Sequence, residues 1–109
     1  MQDVGSSMTN FSQMTVLCVD DESHILKSLQ RLLVQQEFKL LLASSGPEAL
    51  QLLATEPVHL VMSDMKMPQM SGAEFLTEVA KRYPSTYRII LSGYADMAST
   101  LAAVNQGQI

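Results

Sequence analysis

VMSDMKMPQMSG, residues 61–72, begins as an apolar run suited to a buried strand, breaks on Asp64, and restarts at Ser71 and Gly72 after a Met-Pro turn. A strand covered on both faces has no solvent along its length to receive a charge. Asp64 therefore marks the place where a strand ends and a crevice opens. Outward from it, apolar runs recur as TVLCV at 15–19, FKLLLA at 38–43, VHLVM at 58–62 and RIIL at 88–91. They are continuous rather than alternating, the pattern of a parallel sheet sandwiched between helices.

Helical patterns separate the runs. Ile25, Leu26, Leu29, Leu32 and Leu33 form one apolar stripe after the first strand. Ser45, Pro47 and Glu48 open a second helix with a capping-box arrangement, and Leu50 and Leu53 point inward. Ser71 and Glu74 open a third, which carries Phe75, Leu76 and Val79 and stops before Pro84. A fourth, over about 97–105, places Met97, Leu101 and Val104 on one face. The order is β-α four times over. This predicts an α/β, doubly wound parallel sheet of flavodoxin-like order 2-1-3-4, although the pattern by itself also allows the Rossmann order.

With 109 residues, 47% of them hydrophobic, the chain can build one core. The expected organisation is a loose tail over 1–14 and one domain over 15–109. A net charge of −4, with seven scattered Lys and Arg, argues against a nucleic-acid surface. The single cysteine, Cys18, excludes an internal disulfide framework and lies in an apolar run, which fits a reducing cytoplasmic setting. The tail lacks the order of a signal peptide, and no stretch is long and apolar enough to span a bilayer.

The other strands end as the third does. The first closes on Asp20, Asp21 and Glu22, and the fourth on Ser92 and Gly93. Ligands of open α/β sheets bind at the carboxyl ends of the strands, where these residues would converge. Two carboxylates about 4 Å apart repel by roughly 4 kcal/mol at an effective dielectric near 20. The cluster needs a cation or a raised pKa; a divalent cation is the simpler remedy, and the hard oxygen donors select Mg²⁺ or Mn²⁺.

VLCVDDE, VMSDMKMPQMSG and IILSGYA together resemble the receiver domain of two-component response regulators, over about residues 15–109. An acidic pair, an Asp followed by Pro four residues on and Gly eight on, and a Ser-Gly pair each close a different strand in the right order. The resemblance implies that Asp64 is the phosphoacceptor. It also implies that Asp20 and Asp21 hold Mg²⁺ with Asp64 and the backbone carbonyl of Lys66, and that Ser92 receives the phosphoryl oxygen. Gly93 leaves room for movement, and Met67 and Pro68 shape the active-site loop. The partner implied is a sensor histidine kinase or phosphotransfer protein, and the domain's chemistry is confined to its own phosphorylation and dephosphorylation. Receivers also have a fifth strand ending on a lysine, then a fifth helix, and neither is found in this sequence; Lys27, Lys39, Lys66 and Lys81 all fall elsewhere. The expectation is a domain that is marginal, completed by other residues, or covered by self-association such as a homodimer. LSGYAD and NQG also resemble receivers joined to HD-type output domains that hydrolyse cyclic nucleotides.

Other readings of these residues are plainer. Acids after the first strand could simply favour a helix N-terminus. Met65, Met67 and Met70 suit loop packing better than a hard metal. His24 is expected on an exposed helix face, and His59 in a strand without a ligand partner. A phosphatase of the haloacid-dehalogenase type also places a nucleophilic Asp after a strand, but wants a second Asp where this chain has Lys66. A pseudo-receiver, a protein-binding module only, usually lacks the acids kept here.

Overall fold

The computed structural model of the protein describes residues 14–32 and 38–105. The elements run β1 Thr15–Val19, α1 Ser23–Leu32, β2 Lys39–Ala43, α2 Gly46–Thr55, β3 Leu60–Asp64, α3 Gly72–Arg82, β4 Tyr87–Leu91 and α4 Tyr94–Asn105. Four parallel strands lie in the order β2-β1-β3-β4, which selects the flavodoxin-like arrangement over the Rossmann one. The expected tail over 1–14 falls outside the described residues except for Met14, and so does Leu33 of the first apolar stripe.

The sheet separates two cores. Val16 and Cys18 of β1, with Leu60 and Met62 of β3, face Leu29 of α1 and Met97, Leu101 and Val104 of α4. Their neighbours Leu17, Val19 and Val61 face Ala49 and Leu53 of α2 and Phe75 and Val79 of α3. This alternation is the two-residue period of a strand, and both of its faces are apolar because both are covered. All five residues of β1 are buried. A fully buried Val or Leu side chain contributes about 1.5–3 kcal/mol, so the central strand anchors both layers. β2 and β4 are the outer strands among the described residues, and Tyr87 and Ile90 on β4 are exposed.

Several boundaries differ from the sequence expectation. β3 runs from Leu60 to Asp64 rather than over 58–62, since the pairing with β4 starts at Leu60 and continues through Ser63 and Asp64. His59 donates its backbone N–H to the Thr15 carbonyl at 2.9 Å, and its Nδ1 accepts from the Thr15 N–H at 2.9 Å. α4 begins at Tyr94, one turn before Met97, since Tyr94, Ala95 and Asp96 are exposed and fall outside the apolar stripe. At α3 the full capping box forms between Ser71 and Glu74. At α2 only half forms: Ser45 caps the Glu48 N–H, while the Glu48 carboxylate turns to Ser44. Hydrogen bonds from the Ser44 N–H and hydroxyl hold Glu48 below the ordinary carboxylate range. Within α2, Ala49 is buried and Leu50 only partly so.

Gly72 fixes the relation of α3 to β3. A Cβ at that position would collide with the carbonyl oxygen of Asp64, a contact with backbone that cannot swing aside. At Gly46 the obstructing atom is the Met70 sulfur, 2.6 Å away at the far end of a flexible side chain. Gly72→Ala is expected to destabilise the fold by about 2 kcal/mol or more and Gly46→Ala by less than about 1 kcal/mol. Urea unfolding of the two variants should give midpoints in that order.

Candidate functional site

β1, β3 and β4 bring their carboxyl ends together, as the order 2-1-3-4 requires. Asp20 continues the β1 ladder by one step, its N–H donating to the Ala43 carbonyl at 3.1 Å. The residue is buried, and its Oδ1 accepts from the Glu22 N–H at 2.9 Å, closing a tight turn into α1. Asp64, partly buried, pairs with Leu91 across the sheet. The next residue, Met65, donates its N–H to the Leu91 carbonyl and accepts from the Gly72 N–H. The backbone on both sides of Asp64 is thus held by β4 and by the first turn of α3.

Asp20, Asp21 and Asp64 each present a carboxylate oxygen within 4.8 Å of the others. Asp20 is buried, Asp64 intermediate and Asp21 exposed, so the group opens from the sheet towards solvent. Burial pushes the Asp20 carboxyl above its ordinary range; the Glu22 N–H opposes this, and the charges of Asp64, Asp21 and Glu22 add to it. Its Oδ2 is buried and has no hydrogen-bond partner. Mg²⁺ holds oxygens at about 2.1 Å, so opposite ligands stand about 4.2 Å apart. Three hard carboxylates with oxygens within 4.8 Å of one another, Asp20 among them carrying a buried, unpartnered oxygen, therefore fit such an ion after small side-chain rotations.

Met67 is buried in the core shared with α2 and α3, and the carbonyl of Pro68 accepts from the Met70 N–H at 2.7 Å. Gln69, in the same loop, adopts a left-handed φ of 72°. Met65 is exposed. Ser92 is exposed just beyond β4, with its hydroxyl donating to Asp96 Oδ2 at 3.4 Å, and Gly93 follows with φ 90°. Asp96 was not a candidate from the sequence, although its place four residues after Ser92, one helical turn, was the available signal. Lys27 lies in α1, Lys39 opens β2, Lys66 is in the loop after β3 and Lys81 is in the last turn of α3, so none closes a strand beside the carboxylates. His24 is exposed, 3.5 Å from Glu22. His59, expected in a strand, lies just before β3 instead, beside a surface cleft lined by Glu56, Val58, Tyr83 and Thr86 and at the opposite end of β3 from Asp64. Cys18 is buried, and burial pushes its thiol up to about 12. No helix among the described residues is long and apolar enough to cross a membrane.

Residues 16–109 match the response regulator receiver domain family. The chain belongs to that family. The receiver is 44% identical over 97 residues to the hydrogenase transcriptional regulatory protein HoxA of Cupriavidus necator, covering 89% of this chain and 20% of that protein. It is 39% identical over 83 residues to a probable cyclic di-GMP phosphodiesterase of Vibrio cholerae, covering 76% of this chain and 18% of that one. Among solved structures it resembles the signal receiver domain of an HD domain-containing protein from Pseudomonas fluorescens. That match has a TM-score of 0.71 and 40% identity, and covers 89% of this chain and 78% of the other. The receiver thus spans about a fifth of the length of the curated relatives it matches.

Asp20 gives the receiver a pH signature. Its folded pKa lies above the unfolded value, so its protonation favours the folded state. For this group the ion-free domain is most stable below the ordinary carboxylate range, and stability falls as the pH rises from that range through the raised one. Asp20→Asn should raise the melting temperature of the ion-free protein near pH 7, because the neutral amide carries no buried charge. The gain should shrink on acidification, and Mg²⁺ should stabilise wild type more than the variant in parallel melts.

Proposed function

We propose that this receiver is a phosphoacceptor switch in which Asp64 takes a phosphoryl group from the phosphohistidine of a sensor histidine kinase or phosphotransfer protein. The observation that carries the reading is the placing of the Asp64 carboxylate within 4.8 Å of those of Asp20 and Asp21, on a backbone clamped by β4 and α3. An Asp64 oxygen forms the new bond to phosphorus as the bond from phosphorus to the donor imidazole nitrogen breaks, and the electron pair leaves on that nitrogen. A carboxylate is a weak nucleophile toward an anionic phosphoryl group, so position and charge compensation govern the rate. Asp20, Asp21, Asp64 and the Lys66 carbonyl would hold Mg²⁺ (or Mn²⁺), whose chemistry is to offset negative charge on the phosphoryl oxygens. The Ser92 hydroxyl is the donor that then answers the new oxygens, with Gly93 as the pivot of its loop and Met67 and Pro68 shaping the opposite wall. Hydrolysis returns the carboxylate, so the domain acts on itself rather than turning over a separate substrate.

The setting this implies is the cytoplasm, with an output module carried outside these residues. Relatives of the same receiver include a transcriptional regulator and a probable phosphodiesterase, so the switch is read as separable from what it drives.

Incubation with acetyl phosphate and Mg²⁺ should give a hydroxylamine-labile phosphoryl group detectable by intact mass. Asp64→Asn should abolish it, and full labelling of that variant would overturn the assignment. Asp21→Ala should bind Mg²⁺ on the order of tenfold more weakly or worse, since affinity follows the count of charged ligands. Equal affinities in titration would reduce the acidic pair to a helix-capping role.

A further inference from the structure

Ser92 has one hydroxyl proton to donate, and in this structure it is given to Asp96, with Oγ to Oδ2 3.4 Å. We propose that Asp96 is a latch that holds Ser92 away from the acceptor site, and so a positioning residue that sets how readily a phosphoryl group on Asp64 can recruit the switch hydroxyl. The inference rests on the reading of Asp64 as phosphoacceptor and adds to it the control of Ser92.

The surroundings suit a latch. The acceptor side is rigid up to Leu91, which pairs with Asp64 and accepts the Met65 N–H at 3.1 Å. Ser92 is the first residue past that tie and is exposed, so its side chain can turn without disturbing the core. Gly93 follows at φ 90°, and a Cβ there would meet nothing within 4 Å, so the pivot is unobstructed. The post itself is fixed: Met97, next to Asp96, is fully buried, and its N–H donates to the Gly93 carbonyl at 3.3 Å. Negative charge is also favoured in the first turn of a helix, which gives Asp96 its own reason to stay in place.

The strength of the contact points the same way. Hydroxyl-to-oxygen bonds favour about 2.7–2.8 Å, and 3.4 Å is near the outer limit. A phosphoryl group carries close to two negative charges and three acceptor oxygens, against a single charge on Asp96. The hydroxyl is therefore held when Asp64 is free and surrendered when it is phosphorylated.

Four proteins test this: wild type, Asp96→Asn, Ser92→Ala and the double variant, each phosphorylated with subsaturating acetyl phosphate and Mg²⁺ and followed by intact mass. Asp96→Asn should raise the phosphorylation rate about two- to tenfold, the factor that one net hydrogen bond represents, and should change nothing in the Ser92→Ala background. Asp96→Glu keeps the charge at the helix end but moves the carboxylate, and a smaller rise is expected; it also stands in if the Asn variant fails to fold. Melting curves recorded alongside should stay within a few degrees of wild type, which separates the latch from a structural role. A rise of equal size with and without the Ser92 hydroxyl would assign the effect to charge repulsion and overturn the latch, as would no rise at all. Wild type that takes no label on Asp64 would overturn the acceptor reading and the latch together, whereas labelled wild type with an unresponsive Asp96→Asn would overturn the latch alone.

Discussion

Holding a negative charge at the end of a fully buried strand is the constraint around which this domain is arranged. Asp20 cannot be solvated where it stands, and the fold compensates it only halfway. One oxygen is satisfied by the Glu22 N–H, which fixes the turn into α1, the other is buried without a partner, and the carboxylate stands among those of Asp64 and Asp21. A buried group left in this state is unfavourable unless something binds it. The strand order supplies the rest, since the adjacency of β1 and β3 brings the third carboxylate, Asp64, into range of Asp20 and Asp21.

Most of the fold was legible because the strands are covered on both faces and so read as unbroken apolar runs. β1 and β3 show this best, each passing its residues alternately to the two cores. The ends were less legible. α4 starts at Tyr94 because a helix can extend a turn beyond its apolar stripe at little cost, and periodicity sees only the stripe that begins at Met97. At His59 an imidazole nitrogen takes the place of a main-chain acceptor for the Thr15 N–H, a substitution that no hydropathy pattern records.

The site divides in the same way. Asp20, Asp21 and Asp64 could be placed together from the strand ends alone, since topology converts position along the chain into proximity. Which of them is buried could not. Asp20 and Asp21 are adjacent identical residues, and their opposite exposures follow from the pleat and from the turn that Asp20 itself caps. Ser92 was found as a strand-end hydroxyl, but its partner Asp96 was not, because that contact depends on where α4 begins.

The two cores lie on opposite faces of the sheet, and they are not built alike. On the α3 side the aromatic ring of Phe75 is fully buried, and Gly72 brings helix backbone against the backbone of Asp64. On the α4 side the helix rests on Met97, Leu101 and Val104, and the long, unbranched Met97 can change shape as its neighbours move. Any side chain larger than hydrogen at position 72 would push α3 off the strand end that carries Asp64, whereas the α4 side meets the sheet through Met97, Leu101 and Val104.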